Sequence, residues 1–237
     1  MVDATLFVDV WGYYYRQILS RGWLQQIAQN CGCEFRRKVL VKNNSPWDCH
    51  AVTEQERLCA GRLADGSIDL TISAILESQT LMKSLGLKYD DFLPLVYQSL
   101  ADLAAINHCS TKYMVFFCGD AVPWGRSNWV NEGIEVLEKK PEVMIVNPVW
   151  NGFYDHAKNE SFAEDEQCYY QRGFSDQCYL ARAADLRQDI YHEQNDESDR
   201  IYCGPHGNTF EKRVNAYMRN HGKIRVSLKS AAYLTRP

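Results

Sequence analysis

The stretch Lys112-Tyr-Met-Val-Phe-Phe-Cys-Gly-Asp120 indicates which class of fold this chain adopts. Its middle, residues 113–118, is an unbroken apolar run rich in aromatic and β-branched side chains, and turn residues follow at Gly119 and Asp120. A short apolar run closed by turn residues is typical of a strand that is buried on both faces. Such strands lie at the centre of mostly parallel sheets covered by helices, so the sequence predicts an α/β fold.

Asp120 follows this strand directly and is the first candidate binding residue. In open α/β sheets, ligands bind at the carboxyl ends of the strands, where Asp120 is expected to lie. Gly119 beside it allows a large group to approach the backbone. A carboxylate in this position suggests a site for a hard cation or a diphosphate. The alternative is that Asp120 only stabilises a turn.

The composition of the chain disfavours several classes of protein. The 237 residues are 46% hydrophobic and 24% charged, which is ordinary for a globular protein. The net charge is -4 and no block of Lys or Arg stands out, so a nucleic-acid partner is disfavoured. No apolar run is long enough to span a membrane and no signal-peptide pattern is present, so we expect a cytoplasmic protein without a transmembrane segment. The nine cysteines include no CxxC pair, and most are expected to be buried thiols.

Patterning before the central strand predicts a β-α-β start. Residues 4–10 and 35–42 have the composition of strands, and residues 13–30 between them carry apolar side chains on one helical stripe. This order is typical of the first unit of a doubly wound sheet. Residues 52–63 are predicted to form a helix, and residues 68–76 the next strand.

The elements on either side of the central strand continue this alternation. Residues 93–107 are predicted to form a helix that leads into the strand. After the strand, Ser127 is predicted to be the N-cap of a helix that ends near Lys139, and residues 143–149 form another apolar strand.

The chain has a different texture from residue 151 onwards. Residues 151–172 are polar, acidic and aromatic, and are predicted to form a long loop or lid. Strand character returns at residues 174–181, and residues 185–200 are predicted to be loop. Asn208 with Glu211 three residues later is a capping-box pattern, which predicts that Asn208 is the N-cap of a last helix.

In the order and spacing of these segments the chain resembles glycosyltransferases of the GT-A type, most of all the bacterial and viral family 2 enzymes. Val41-Lys-Asn-Asn-Ser-Pro46 resembles the segment that ends at the nucleobase pocket, and residues 112–123 resemble the strand that carries the DxD motif. Residues 174–179 and 209–213 resemble acceptor-side elements that often hold the catalytic carboxylate. The resemblance spans nearly the whole chain and implies a GT-A fold.

The chain departs from the family motif at one position. The first Asp of DxD falls at Cys118, so the motif reads Cys118-Gly119-Asp120. In the family the last Asp commonly contacts the metal directly, and Asp120 keeps it. Mg²⁺ and Mn²⁺ prefer oxygen ligands, so a thiol is a poor substitute for the missing carboxylate. The resemblance implies a Mn²⁺ or Mg²⁺ ion held by Asp120, with His206 as a further metal ligand unless it is only a loop residue.

The resemblance also implies a reaction. A sugar would move from a nucleoside-diphosphate sugar to the hydroxyl of a glycan or another acceptor, with inversion, as in polysaccharide biosynthesis. An inverting enzyme uses a carboxylate to take the proton of the acceptor hydroxyl. Asp176 and Glu211 are the candidate catalytic residues. As structural alternatives, Asp176 only braces a turn, and Glu211 only completes the capping box.

Donor binding is assigned by the same resemblance to residues near the predicted strand ends. The candidates are Trp11, Asn43, Asn44, Asp102, Cys118, Gly119 and Asp120. Tyr13 and Trp124 are further aromatic residues that could stack on a base or a sugar, or simply pack in the core or at its rim. Simpler explanations remain open: Asn43 and Asn44 only form a turn, and Asp102 lies on a solvated helix face.

The resemblance implies a single domain over residues 1–237, with residues from 1 to about 122 as the nucleotide-sugar half and the rest as the acceptor half. Two other functions remain open. A sugar-1-phosphate nucleotidyltransferase would need a Gly-rich basic loop after the first strand, which Trp11-Gly-Tyr-Tyr-Tyr15 does not resemble. A non-catalytic module that binds a sugar nucleotide or glycan is favoured by Cys118 in place of a carboxylate.

Overall fold

The structure, a computed structural model, describes residues 1–12, 14–43, 52–93, 95–201 and 208–235. These residues form a ten-stranded mixed sheet in the order β3-β2-β1-β4-β9-β6-β10-β8-β7, with β5 paired to β10. The strands are β1 (Val2–Trp11), β2 (Phe35–Asn43), β3 (Leu70–Ser73), β4 (Tyr113–Phe117), β5 (Ala121–Pro123), β6 (Val143–Trp150), β7 (Ser161–Glu164), β8 (Cys168–Arg172), β9 (Cys178–Arg182) and β10 (Ile224–Thr235).

Helices connect and cover these strands. They are α1 (Tyr15–Ile18), α2 (Trp23–Asn30), α3 (Val52–Ala64), α4 (Ala74–Ser84), α5 (Val96–His108), α6 (Trp129–Lys139), α7 (Tyr154–Asn159), α8 (Ala183–Leu186), α9 (Asp196–Ile201) and α10 (Phe210–Asn220), with a short 3-10 turn at Tyr89–Phe92. No helix within the described ranges is long and apolar enough to cross a bilayer.

The first part of the sheet is wholly parallel, which confirms the predicted α/β class and the β-α-β start. β1 pairs in parallel with β2 and with β4, and β2 pairs in parallel with β3. Every residue of β4 is buried, as its apolar run predicts. The carboxyl ends of β1, β2 and β4 therefore lie at one end of the sheet, which is here called the carboxyl end.

The sheet separates two apolar cores, and β1 contributes to both. Leu6, Val8 and Val10 belong to one core, whereas Phe7 belongs to the other, together with the buried side of α5. Side chains alternate between the two faces along a strand. Asp9 therefore lies on the face of Phe7, towards α5.

Two predicted elements in the first half have different bounds in the structure. The helix predicted at residues 13–30 is divided into α1 and α2, because Gly22 adopts φ +85° between them, a conformation that interrupts a right-handed helix. The strand predicted at residues 68–76 ends at Ser73, whose hydroxyl accepts a hydrogen bond from the Leu76 N–H and caps α4.

The second half corrects more of the predictions. Residues 151–172 do not form a long loop: they contain α7 and a hairpin of β7 and β8, and β8 gains a sheet partner in β10. The predicted strand at 174–181 begins only at Cys178, and the predicted loop at 185–200 includes most of α9. Asn128, not Ser127, is the N-cap position of α6.

Candidate functional site

The carboxyl end of the sheet brings several predicted site residues together. Trp11 and Asn43 end β1 and β2 and lie opposite each other in the strand register. The segment after β4 crosses directly over β1, because a Cβ atom on Gly119 would lie 3.2 Å from the Asp9 carbonyl oxygen and 3.6 Å from the Trp11 nitrogen. Glycine is the residue that permits this close approach. Asp120 follows at the same end, as predicted.

Four carboxylates surround Cys118 at this end of the sheet. Asp9 comes from β1, Asp102 from α5, Asp120 from the segment after β4, and Asp176 from the segment before β9. Each of them acts electrostatically on the Cys118 thiol. These four residues are here called the acidic cluster. Asp9 and Asp102 are 6% and 2% exposed, whereas Asp120 and Asp176 are half-buried.

Three carboxylates of the acidic cluster have raised pKa values, chiefly because they are buried. Burial raises the pKa of Asp9 to about 7, with the negative charge of Asp120 adding to the rise and a hydrogen bond from Asn43 opposing it. Burial likewise raises the pKa of Asp176 to about 6, again with a contribution from Asp120. Among the described residues, the main charges acting on the pKa values of Asp9 and Asp102 are all negative.

Cys118 presents a thiol to this arrangement in place of a carboxylate. Burial raises the pKa of its thiol well above the ordinary value, and the charge of Asp9 adds most to that rise, followed by Asp120 and Asp176. The thiolate, not the thiol, is the form that binds metals. The side chain is therefore a neutral thiol near neutral pH.

Asp102 lies behind the cluster rather than on a solvated helix face. Its carboxylate accepts a 2.8 Å hydrogen bond from the Tyr179 hydroxyl, inside the core. Burial raises its pKa well above the ordinary range, and the charge of Asp176 adds to this. The surface explanation for Asp102 is therefore wrong, although contact with a donor sugar stays a prediction.

Two carboxylate oxygens of the cluster have no partner. Asp9 Oδ1 and Asp120 Oδ1 are both buried without a hydrogen-bond partner among the described residues. A buried polar atom without a partner costs about 1–3 kcal/mol, more when it is charged. Strain, an ordered water or a bound ion or ligand can account for such atoms.

The donor set fits a divalent ion that also needs ligands from a substrate. Within the described ranges, no three or more His, Cys, Asp or Glu side chains are arranged to hold an ion by themselves. Mg²⁺ is commonly bound by one or two carboxylates together with substrate phosphates. Asp120, with its unpaired oxygen, fits that description. The predicted metal ligand His206 and the predicted donor residue Asn44 lie outside the described residues, as does Tyr13.

A large cleft opens beside the acidic cluster and contains both predicted catalytic residues. Asp176 and Glu211 lie in the wall of this cleft, whose volume is about 620 Å³. Five aromatic side chains line the cleft among polar and charged residues, and the cleft is here called the aromatic cleft; these side chains are Trp150, Phe153, Phe162, Phe174 and Tyr233. Asp176 is the member of the acidic cluster that also lines the aromatic cleft.

The predicted capping box at Glu211 is wrong. Thr209 is the N-cap of α10, and its hydroxyl accepts a hydrogen bond from the Lys212 N–H. Phe210 N–H donates a 2.8 Å hydrogen bond to the Ser99 hydroxyl of α5, which fixes this end of the helix. Glu211 is consequently the second residue of α10 and not the capping-box partner of Asn208.

Trp124 does not line the aromatic cleft, and its ring packs on Gly152 just after β6. It is 58% exposed, and a Cβ atom on Gly152 would lie 2.3 Å from the ring. Trp11 is 39% exposed and its ring is 6.4 Å from that of Tyr14.

Sequence analysis missed Asp9 and the aromatic wall. Asp9 is the only charged residue in the apolar run 4–10, and that exception is the signal that identifies it. Phe153 and Phe162 were not identified because the segment that carries them was interpreted as a loop. Phe162 is carried by β7, which joins the sheet through β8 and its pairing with β10, and no local pattern reveals that pairing.

Comparison with known proteins gives a fold but no family. No protein-family model matches the chain, and no curated protein matches its sequence. The structure is similar to mouse xyloside xylosyltransferase 1 in its apo form, with a TM-score of 0.52 and 10% identity, over 96% of this chain and 85% of that one. It is also similar to GalNAc-T7, solved with UDP, GalNAc and Mn²⁺, with a TM-score of 0.50 and 8% identity, over 98% of this chain and 43% of that one. At such identities the likeness establishes architecture alone: this chain has the GT-A glycosyltransferase fold.

Proposed function

We propose that this chain transfers a sugar from a nucleoside-diphosphate sugar to an acceptor hydroxyl. The observation that carries the proposal is the position of Asp176. Its carboxylate interacts with Asp120 at the carboxyl end of the sheet, and it also lines the aromatic cleft. A transferase needs such a junction, since the donor and the acceptor must meet at one reacting carbon.

The donor is assigned to the carboxyl end of the sheet. Ligands of open α/β sheets bind there, and Trp11 and Asn43 flank the position with one half-exposed ring and one buried amide. The solved complex of GalNAc-T7 with UDP and Mn²⁺ supports a nucleotide and an ion in this fold. Asp120 would hold a Mn²⁺ or Mg²⁺ ion together with the diphosphate. When bound, that ion supplies Lewis-acid stabilisation of the departing diphosphate.

The acceptor is assigned to the aromatic cleft, with Asp176 as the general base. The acceptor oxygen forms a bond to the anomeric carbon, and the bond from that carbon to the diphosphate oxygen breaks with its electron pair leaving on the diphosphate. The acceptor proton moves to the Asp176 carboxylate. Burial raises the pKa of Asp176 to about 6, close to neutral pH, where a general base is most effective.

The proposed reaction is inverting: Asp176 would act on the face of the sugar opposite to the departing diphosphate. Glu211 is the second candidate for the base, since it lines the same cleft. The residues after about 122 supply the acceptor side in this proposal, and those before it supply most of the donor side.

The test is turnover of donors. Incubation of the protein with UDP-, GDP-, TDP- and CDP-sugars, Mn²⁺ and a panel of glycan acceptors should release nucleoside diphosphate with at least one donor, and mass spectrometry should detect an extended acceptor. A protein that binds a sugar nucleotide but leaves it intact under all these conditions would be a binding module of the same fold, and the proposal would be wrong.

A further inference from the structure

Cys118 leaves the metal motif one carboxylate short, and Asp9 lies where it can replace that carboxylate. We propose that Asp9 and Asp120 together hold the divalent ion of the donor site. Asp9, on β1, supplies the carboxylate that is missing at position 118. This inference rests on the proposed function, because it assigns a ligand to that same site.

The strand register brings Asp9 next to the motif. Val8 lies opposite Phe117 in the parallel pair of β1 and β4, so the next residues along the two strands are Asp9 and Cys118. The chain then turns over β1, where a Cβ on Gly119 would lie 3.2 Å from the Asp9 carbonyl oxygen. Asp9 is thus beneath the motif segment and not elsewhere in the core.

The side chain of Asp9 is nearly inaccessible and has an unpaired oxygen. It is 6% exposed, and its Oδ1 atom has no hydrogen-bond partner in the described part of the chain. Asp120 Oδ1 is in the same state. An uncompensated carboxylate is costly to bury, and a second carboxylate beside it increases that cost. A cation between the two would satisfy both oxygens.

The electrostatic interactions agree with this placement. Apart from burial, Asp9 acts more strongly on the Cys118 thiol than any other charged group does. Among charged groups, Asp120 has the largest influence on Asp9. Asp9 lies beside Cys118 in the strand register and beneath Gly119, and it also interacts with Asp120. Two carboxylates with further positions left for phosphate oxygens are a ligand set that small hard divalent ions accept.

Mn²⁺ binding tests this inference without any measurement of activity. Free Mn²⁺ is quantified by electron paramagnetic resonance during titration into the protein, with and without a nucleoside diphosphate. We expect Asp9→Asn and Asp120→Asn each to weaken Mn²⁺ binding about tenfold or more. Asp102→Asn is the matched control, because it removes an equally buried charge of the same cluster and should change the affinity far less.

A rescue variant makes the test specific to position. Adding Cys118→Asp to Asp9→Asn moves the carboxylate from β1 back to the motif position, and this double variant should regain most of the lost affinity. Asn is nearly the same size as Asp and removes a buried charge, so the variants should fold, which circular dichroism and thermal melting would verify.

Three results would overturn the inference. They are wild-type Mn²⁺ affinity in Asp9→Asn, an equal loss in Asp102→Asn, and no Mn²⁺ binding by the unchanged protein under either condition. The proposed function is judged separately by donor turnover. Turnover with unchanged Mn²⁺ affinity in Asp9→Asn would contradict this inference alone, whereas absence of turnover would contradict the function.

Discussion

Carboxylates at the carboxyl end of the sheet differ sharply from those around the β7–β8 hairpin. In the hairpin region, acidic side chains have cationic partners near the surface: Glu164 lies 2.7 Å from Lys229, and Asp165 lies 3.3 Å from Lys140. In the acidic cluster, Asp9 and Asp120 instead have buried oxygens without a hydrogen-bond partner among the residues that the structure describes.

The pKa values move in opposite directions in the two regions. Partial burial raises the pKa of Asp165, but hydrogen bonds from Tyr170 and from two backbone N–H groups outweigh this and bring it down to about 2. Burial raises the pKa of Asp9 to about 7. The hairpin acids therefore stabilise the fold, whereas the buried acids of the cluster are kept at a cost in stability. Groups kept at such a cost are candidates for function.

The largest effect is expected for Asp176, the residue of the acidic cluster that also lines the aromatic cleft. Asp176→Asn should lower the rate of sugar transfer about 100-fold or more, because an amide cannot accept the acceptor proton. Donor affinity should change little, since the substitution keeps the shape of the side chain. Steady-state kinetics of transfer and titration with the donor measure the two quantities.

Glu211→Gln is the comparison for that variant, because Glu211 is the second candidate base and lines the same cleft. We expect it to retain more activity than Asp176→Asn. The opposite ranking would assign the base to Glu211, and full activity in both variants would exclude this proposed mechanism.

The second-largest effect is expected for Asp9→Asn, on the free energy of unfolding, and it depends on pH. Asp9 has a folded-state pKa above its unfolded value, so the folded protein binds more protons between about pH 4 and pH 7 and loses stability as the pH rises through that window. Asp9→Asn removes this loss. Without divalent ions, it should raise the free energy of unfolding by roughly 2–4 kcal/mol at pH 8 and much less at pH 4. Urea unfolding at both pH values in EDTA is the measurement, and equal effects at the two would refute the argument.

Asp165→Asn should show the opposite dependence of stability on pH, and its effect on the free energy of unfolding should be smaller. The folded-state pKa of Asp165 is lowered, so its contribution is present above the unfolded value near 4 and disappears as the pH falls through about 2. Because this side chain is 45% exposed, solvent screening limits the loss at pH 7 to about 1 kcal/mol or less. Thermal unfolding of both proteins at pH 7 and pH 2 should show the difference only at pH 7.

The smallest effect is expected for a surface pair of the hairpin. Glu164→Gln removes the ion pairs with Lys229 and Lys158, which are partly exposed to solvent. Such pairs contribute about 0–1 kcal/mol. Melting temperature should change little and transfer should be unaffected. A strong loss of transfer would show that the hairpin acids take part in the reaction. It would contradict the distinction between a structural role for these acids and a functional role for the acidic cluster.

Local patterns were sufficient to predict the parallel half of the sheet. The buried run of β4, the strand of β1 and the helix that precedes β4 all follow from periodicity within single segments. The position of Asp120 at a strand end followed in the same way, because all parallel strands end on the same side.

Features that depend on distant contacts were not predictable in this way. Asn208 and Thr209 are both good N-cap residues, so the sequence alone does not decide where α10 begins. In the structure Thr209 is the N-cap, and the N–H of Phe210 at the start of the helix donates a hydrogen bond to the distant Ser99. Asp9 is one acid in an apolar strand, and its importance emerges only when β4 is placed beside β1. The charge balance around a side chain is a three-dimensional property that sequence order does not contain.

Binding of nucleoside diphosphates tests the central claim most directly. Thermal unfolding is measured with UDP, GDP, TDP and CDP, each with and without Mn²⁺, for the unchanged protein and for Asp120→Asn. We expect one nucleotide with Mn²⁺ to stabilise the unchanged protein by about 2.7 kcal/mol at 100 times its dissociation constant. The part of that stabilisation that needs Mn²⁺ should vanish in Asp120→Asn. Stabilisation by none of the nucleotides, or Mn²⁺-dependent stabilisation that persists in Asp120→Asn, would contradict a donor site at the carboxyl end of this sheet.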